Sequence, residues 1–155
     1  MLKPFCVAIL LLLTFSCKKD NDPTPVHYRY YEVGMRSDGD QQAGWKWQDT
    51  TFVVAVADTN TTLIAEINAQ LQLPIAQRNK FVIGTLVAGD GGYNKNGSHR
   101  FKWHLKEDDW NLVQATIELS DGLPYTDVDV NNSYWMEKVK RFSPWSSYIK
   151  KAIEP

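Results

Sequence analysis

Thr51 to Leu71, TFVVAVADTNTTLIAEINAQL, sets two periodicities back to back. From Thr51 to Ala57 nearly every position is apolar, the pattern of a strand covered on both faces, and this strand is expected at the centre of a sheet. Asp58 to Thr62 then supplies several side chains suited to capping a helix start. Leu63, Ile64, Ile67 and Leu71 follow at helical spacing, which predicts a helix over Thr61 to Leu71 that stops before Pro74. Glu66, Asn68 and Gln70 fall on its polar face. An amphipathic helix of this kind cannot bury its stripe alone, so a sheet must cover it.

Outward from that unit the chain is rich in strand patterns. Upstream, His27 to Met35 (HYRYYEVGM) is aromatic and loosely alternating, and reads as a strand. Downstream, Lys80 to Ala88 (KFVIGTLVA) is a second buried-type strand, and Gly89 to Ser98 (GDGGYNKNGS) is the strongest breaker in the chain. That glycine-rich segment lacks a following Lys-Ser/Thr step and a helix, so it is not a phosphate loop. Phe101, Trp103 and Leu105 alternate with Lys102, His104 and Lys106, while Val113, Ala115, Ile117 and Leu119 alternate with Gln114, Thr116, Glu118 and Ser120. The short link Glu107 to Asn111 predicts that these are two strands paired antiparallel, with His104 and Glu118 together on the wet face. Tyr134 to Val139 suggests a short helix, and Phe142 to Trp145 opens a C-terminal segment. The order β, β, α, β, β, β predicts an α+β fold, a mainly antiparallel sheet with one main covering helix, in a single domain over residues 26–155.

The chain has 155 residues, 43% of them hydrophobic, and a formal net charge of -1. That balance leaves no surplus of basic residues for phosphate neutralisation, so no nucleic-acid partner is expected. At the N-terminus Lys3 precedes the apolar run Phe5 to Leu13 (FCVAILLLL), which is too short to cross about 30 Å of hydrocarbon and reads as a signal-peptide core. Leu13-Thr14-Phe15-Ser16-Cys17 resembles the lipobox of bacterial lipoproteins. The resemblance implies a signal peptide over residues 1–16, acylation of Cys17, a membrane partner through the lipid anchor, and a place in the cell envelope, at the outer membrane. Lys18 to Pro25 reads as a solvated tether. Cys6 would leave with the signal peptide and Cys17 would carry lipid, which excludes a catalytic cysteine, a disulfide or a Cys-ligated metal in the mature chain.

Several blocks together carry a wider resemblance: Val82-Ile83-Gly84, Tyr93-Asn94, Phe101-Lys102-Trp103-His104-Leu105, Ile117-Glu118-Leu119-Ser120-Asp121-Gly122, and Arg141-Phe142-Ser143-Pro144-Trp145-Ser146-Ser147. In order and spacing they resemble the N-terminal domain family named after a calmodulin-dependent, seventy-four-kilodalton binding protein, over about Tyr31 to Tyr148. The resemblance implies a fold more than a chemistry, since it brings no established catalytic activity. It also implies a pair of cysteines where this chain has Ser120 and Ser143. Their joint loss is what the loss of a cross-link would leave behind. Calmodulin binding is not carried over, because Lys138 to Lys151 is interrupted by Pro144 and forms no basic amphipathic helix.

The candidate chemistry is sparse. His104, Glu118 and Asp121 could serve acid–base work or hold a divalent ion, although a His beside carboxylates on a solvated sheet face is the commoner arrangement. Asp127 to Asn131 starts like a calcium loop, then has Asn132 where Gly is needed and Lys138 where the bidentate Glu is needed. Trp45 and Trp47, two apart in an extended segment, would share a face and could stack on sugar rings. Ser146 and Ser147 lack a nucleophile-elbow context. No metal site or cofactor is expected. The reading favours a lipid-anchored binding module with a glycan or protein ligand over a small hydrolase or metal-dependent enzyme using His104, Glu118 and Asp121.

Overall fold

The computed structural model describes residues 25–36, 44–114 and 122–154. Its strands are β1 (Tyr28–Met35), β2 (Thr51–Ala57), β3 (Phe81–Ala88), β4 (Lys95–Asn96), β5 (His99–Arg100), β6 (Trp103–Val113), β7 (Arg141–Phe142) and β8 (Ser147–Ile153), with one longer helix, α1 (Thr61–Leu71). A 3-10 turn occupies Trp47–Thr50, a π-helical turn Pro124–Asp129, and a further helical stretch runs through Asn132–Tyr134 and Trp135–Val139. The fold is α+β, as the patterning predicts. Helix α1 starts where Asn60 accepts the Leu63 N–H and buries Leu63, Ile64 and Ile67 against the sheets. Gln70, expected on the polar face, is also buried, and its side-chain oxygen accepts the Lys80 N–H. Among the described residues no helix is long and apolar enough to cross a membrane.

Two antiparallel three-stranded sheets, ordered β2-β1-β8 and β6-β3-β7, enclose the core, and β4 and β5 form a separate small hairpin. β2 is therefore an edge strand, not the central one expected. It is nonetheless buried along Phe52 to Val56, because its free edge is covered by side chains instead of another strand. The Asn94 amide acts there as a detached peptide group: its Oδ1 accepts the Val53 N–H at 2.9 Å and its Nδ2 donates to the Trp103 carbonyl at 2.8 Å. Trp110 Nε1 donates to the Ala55 carbonyl at 2.7 Å. The opposite seam is closed similarly. Ser147 Oγ accepts the Val82 N–H at 3.0 Å, and the Arg78 guanidinium donates to the carbonyls of Ile149 and Lys150 as well as to that of Leu73 beyond α1. Exposed strand edges invite pairing with other chains, and these side chains occupy them.

The core is aromatic at its centre. Phe52, Trp103 and Phe142 are fully buried with ring centroids 5.1 to 5.6 Å apart at tilted or edge-on angles, the geometry that aromatic quadrupoles favour.

The predicted hairpin across Glu107 to Asn111 does not form. β6 runs on through those residues and pairs with β3 along its whole length. The charged residues fit because the register jumps: Leu105 opposes Leu86 and Trp110 opposes Gly84, leaving 106–109 as a wide bulge facing Thr85 alone. Thr85 Oγ1 donates to Asp109 at 2.7 Å within it. Gly84 is required at this point, since a Cβ there would lie 2.5 Å from that of Trp110. The expected partner positions Ala115 to Ser120, with Glu118 and Asp121, lie outside the described residues.

Candidate functional site

His104 was expected on a wet strand face. The structure instead buries it, at 8% exposure, under the turn that begins at Gly89. Its Nδ1 lies 2.6 Å from the Gly89 carbonyl oxygen; a carbonyl can only accept, so this nitrogen carries the proton. Its Nε2 faces Glu107 Oε1 at 3.6 Å, just beyond direct hydrogen bonding. The Tyr93 ring meets the imidazole edge-on at 5.7 Å, and the Tyr93 hydroxyl sits 3.1 Å from both the Leu105 carbonyl and Glu107 Oε1. Burial first, and the Glu107 charge second, push the Tyr93 hydroxyl well above its usual pKa.

This nook is closed by its own loop. Gly91, with φ of +61°, brings the backbone so near that a Cβ would lie 2.8 Å from the Tyr93 ring and 3.1 Å from His104. Asp90 holds the loop by accepting the Gly92 N–H and pairing with Arg100, whose guanidinium keeps the Asp90 carboxyl below the usual carboxylate range. His104, Glu107 and Tyr93 form a satisfied polar cluster under a lid. Glu118 and Asp121, the other two residues of the predicted acid–base set, are outside the described residues. Glu107 escaped the sequence reading because residues three apart in a regular strand face opposite ways. Only the bulge turns Glu107 toward His104.

The second neighbourhood is open. Trp45 and Trp47 part company: Trp45 packs against the main core, whereas Trp47 heads a 3-10 turn and its indole is 53% exposed. The turn forms because Asp49, fully buried, accepts the Lys46 N–H and also the backbone N–H groups of Tyr125 and Thr126 and the Thr126 hydroxyl. One carboxylate thereby ties the Trp47 turn to the π-helical turn at Pro124–Asp129. The β4–β5 hairpin holds the other side, where Asn96 Nδ2 donates to the Trp47 carbonyl at 3.0 Å. The Trp47 ring stands perpendicular to His99 at 6.5 Å, and His99 meets Tyr125 edge-on at 5.0 Å. Behind them Asp129 is buried and accepts the Lys102 N–H. His99 Nε2 lies 3.3 Å from Asp129 Oδ2, yet makes no hydrogen bond among the described residues.

The failed calcium loop is explained in the same place. Asp127 accepts the Leu123 N–H and Asp129 that of Lys102, so both carboxylates are engaged by backbone. Among the described residues no group of three or more metal-ligating side chains converges. Ser143, where the family resemblance implies a cysteine, is buried with its hydroxyl unpartnered among the described residues. Ser120 lies outside them.

No curated protein and no solved structure matches this chain. A family model does, over residues 41–155. Its span takes in β2 to β8, both seams, the His104 nook and the Trp47 surface, and it starts later than the Tyr31 suggested by the motif blocks. The chain belongs to the family of the N-terminal domain of the seventy-four-kilodalton binding protein.

Proposed function

We propose that the protein is a cell-envelope lipoprotein whose domain binds a glycan or protein ligand through the surface around Trp47, without catalysing a reaction. The observation that carries this reading is the Trp47 indole, more than half exposed on a turn fixed from both sides by Asp49 and Asn96. A large apolar ring in water costs free energy, and a rigidly mounted one is what an interface anchor requires. The enzyme alternative built on His104, Glu118 and Asp121 has less support, because the imidazole is enclosed and its Nδ1 is committed to a backbone carbonyl.

The anchor rests on the sequence. A lipidated Cys17 would tie the domain to the bilayer by the residues up to Pro25, at most about 29 Å of extended chain. Acyl chains contribute about 0.8 kcal/mol per buried CH₂, so more than one of them makes release slow. Cys17→Ala should abolish metabolic palmitate labelling and move the protein out of the membrane fraction; undiminished labelling would refute the anchor. Protease shaving of intact cells separates the two faces of the outer membrane. For the ligand, the full-length protein is screened on a glycan array and by photo-crosslinking in the envelope. The reading expects a hit that Trp47→Ala loses.

A further inference from the structure

A second concavity lies away from Trp47, at the open end of the first sheet, where the start of β1, the end of β8 and α1 leave a cleft of about 460 Å³. Its size falls in the range of small-ligand sites. Tyr28, Arg29, Tyr30, Tyr31, Asn68 and Glu154 are among its walls. We propose that this cleft binds a neutral saccharide ring, independently of the Trp47 surface.

The chemistry of the walls selects that class. Tyr28 is 39% exposed, and Tyr30 is backed by the Tyr93 ring at 5.3 Å. They bring two aromatic rings to the cleft, as the C–H face of a pyranose needs. Arg29 is fixed in place: its Nε donates to Asp58 Oδ1 at 2.7 Å, and its guanidinium also interacts with the Tyr31 hydroxyl. Asn68 projects from the exposed side of α1, and Glu154 closes the rim. Guanidinium, amide and carboxylate are planar forks that match pairs of adjacent hydroxyl groups.

Charge rules out the neighbouring classes. Asp58 offsets Arg29, and Glu154 adds a negative charge with no second cation on the walls, so a phosphate or carboxylate ligand gains nothing. A wholly apolar ligand would strip water from Arg29, Asn68 and Glu154 without replacing its hydrogen bonds. A polyol with one apolar face satisfies both constraints.

The test uses purified full-length protein and saturation-transfer NMR with free galactose, mannose and N-acetylglucosamine, and with glucose 6-phosphate as the anionic counterpart. A neutral sugar should receive saturation, and Asn68→Ala and Tyr28→Ala, both at exposed positions, should each weaken its binding at least about tenfold while the melting temperature holds. The proposal is overturned by transfer to none of the neutral sugars, by transfer to the phosphate alone, or by a signal that survives both substitutions. A signal lost in Trp47→Ala but kept in Asn68→Ala would assign the sugar to the other surface and equally end it.

Discussion

The Tyr93–His104–Glu107 nook and the Trp47–His99–Tyr125 surface are built from the same materials, a histidine, aromatic rings and a carboxylate, and they differ in enclosure. In the first, a glycine turn covers the imidazole and the polar atoms point at one another or at backbone. In the second, the buried Asp49 fixes the backbone beneath an indole that remains in water. Polar groups that are mutually satisfied and excluded from water stabilise a fold, whereas an exposed ring on a rigid mount contributes little until something covers it. The chemistry named by residue type is thus held in the interior, and the surface available to a partner is aromatic.

That contrast can be broken by substitution. The largest effect is expected at Asn94, next to Tyr93 in the chain. Asn94→Ala leaves the Val53 N–H and the Trp103 carbonyl without partners and should cost at least about 2 kcal/mol in a denaturant titration. A loss below about 0.5 kcal/mol, the scale of a surface change, would mean that the seam between β2 and β6 is closed by packing alone.

Two glycines then compare the neighbourhoods directly. Gly91 and Gly97 both have positive φ, at +61° and +54°, but a Cβ at Gly91 would meet the Tyr93 ring at 2.8 Å and one at Gly97 would meet the Trp47 ring at 3.5 Å. Left-handed backbone costs a non-glycine residue roughly 1–2 kcal/mol. Gly97→Ala should show only that cost, while Gly91→Ala should add overpacking of about 1–3 kcal/mol. Equal losses at the two positions would erase the distinction in enclosure.

A smaller effect is expected from Tyr93 at alkaline pH. Its hydroxyl has a folded-state pKa raised above the unfolded value near 10. Its contribution to stability is therefore complete below about pH 10 and falls as pH rises from there toward the folded value, by up to about 1.4 kcal/mol per pH unit. Denaturant titrations between pH 8 and pH 11.5 should show this decline in the wild type and a shallower one in Tyr93→Phe. Parallel slopes would contradict the buried, Glu107-facing hydroxyl.

How much of this was legible in the sequence depends on whether the determinant is periodic. Helix α1 is legible because its apolar spacing, its Asn60 cap and its terminating Pro74 are local signals. β6 is not, because Lys106 to Asp109 has the composition of a turn, and only the partner strand, through Gly84 and Thr85, reveals a bulge. The edge position of β2 was hidden for a related reason. Its apolar run reports burial, and burial by the Asn94 amide and the Trp110 indole gives the same run as burial by a neighbouring strand. For the site, residue type drew attention to His104 and Trp47. The partners that separate a structural histidine from an exposed anchor, Glu107 for one and Asp49 for the other, arrive through a bulge and through a contact with Tyr125 and Thr126 far along the chain.

The central claim, that the His104 nook holds the fold while the Trp47 surface meets the ligand, is tested most directly by taking His104→Ala and Trp47→Ala through the same two assays, thermal melting and photo-crosslinking to the envelope ligand. The account predicts that His104→Ala melts several degrees lower, having lost about 1–3 kcal/mol of buried hydrogen bonding, yet still captures the ligand below its transition. Trp47→Ala should melt within about 0.5 kcal/mol of the wild type and capture nothing. The opposite result, a stable His104→Ala protein that no longer captures the ligand beside a Trp47→Ala protein that still does, would contradict it.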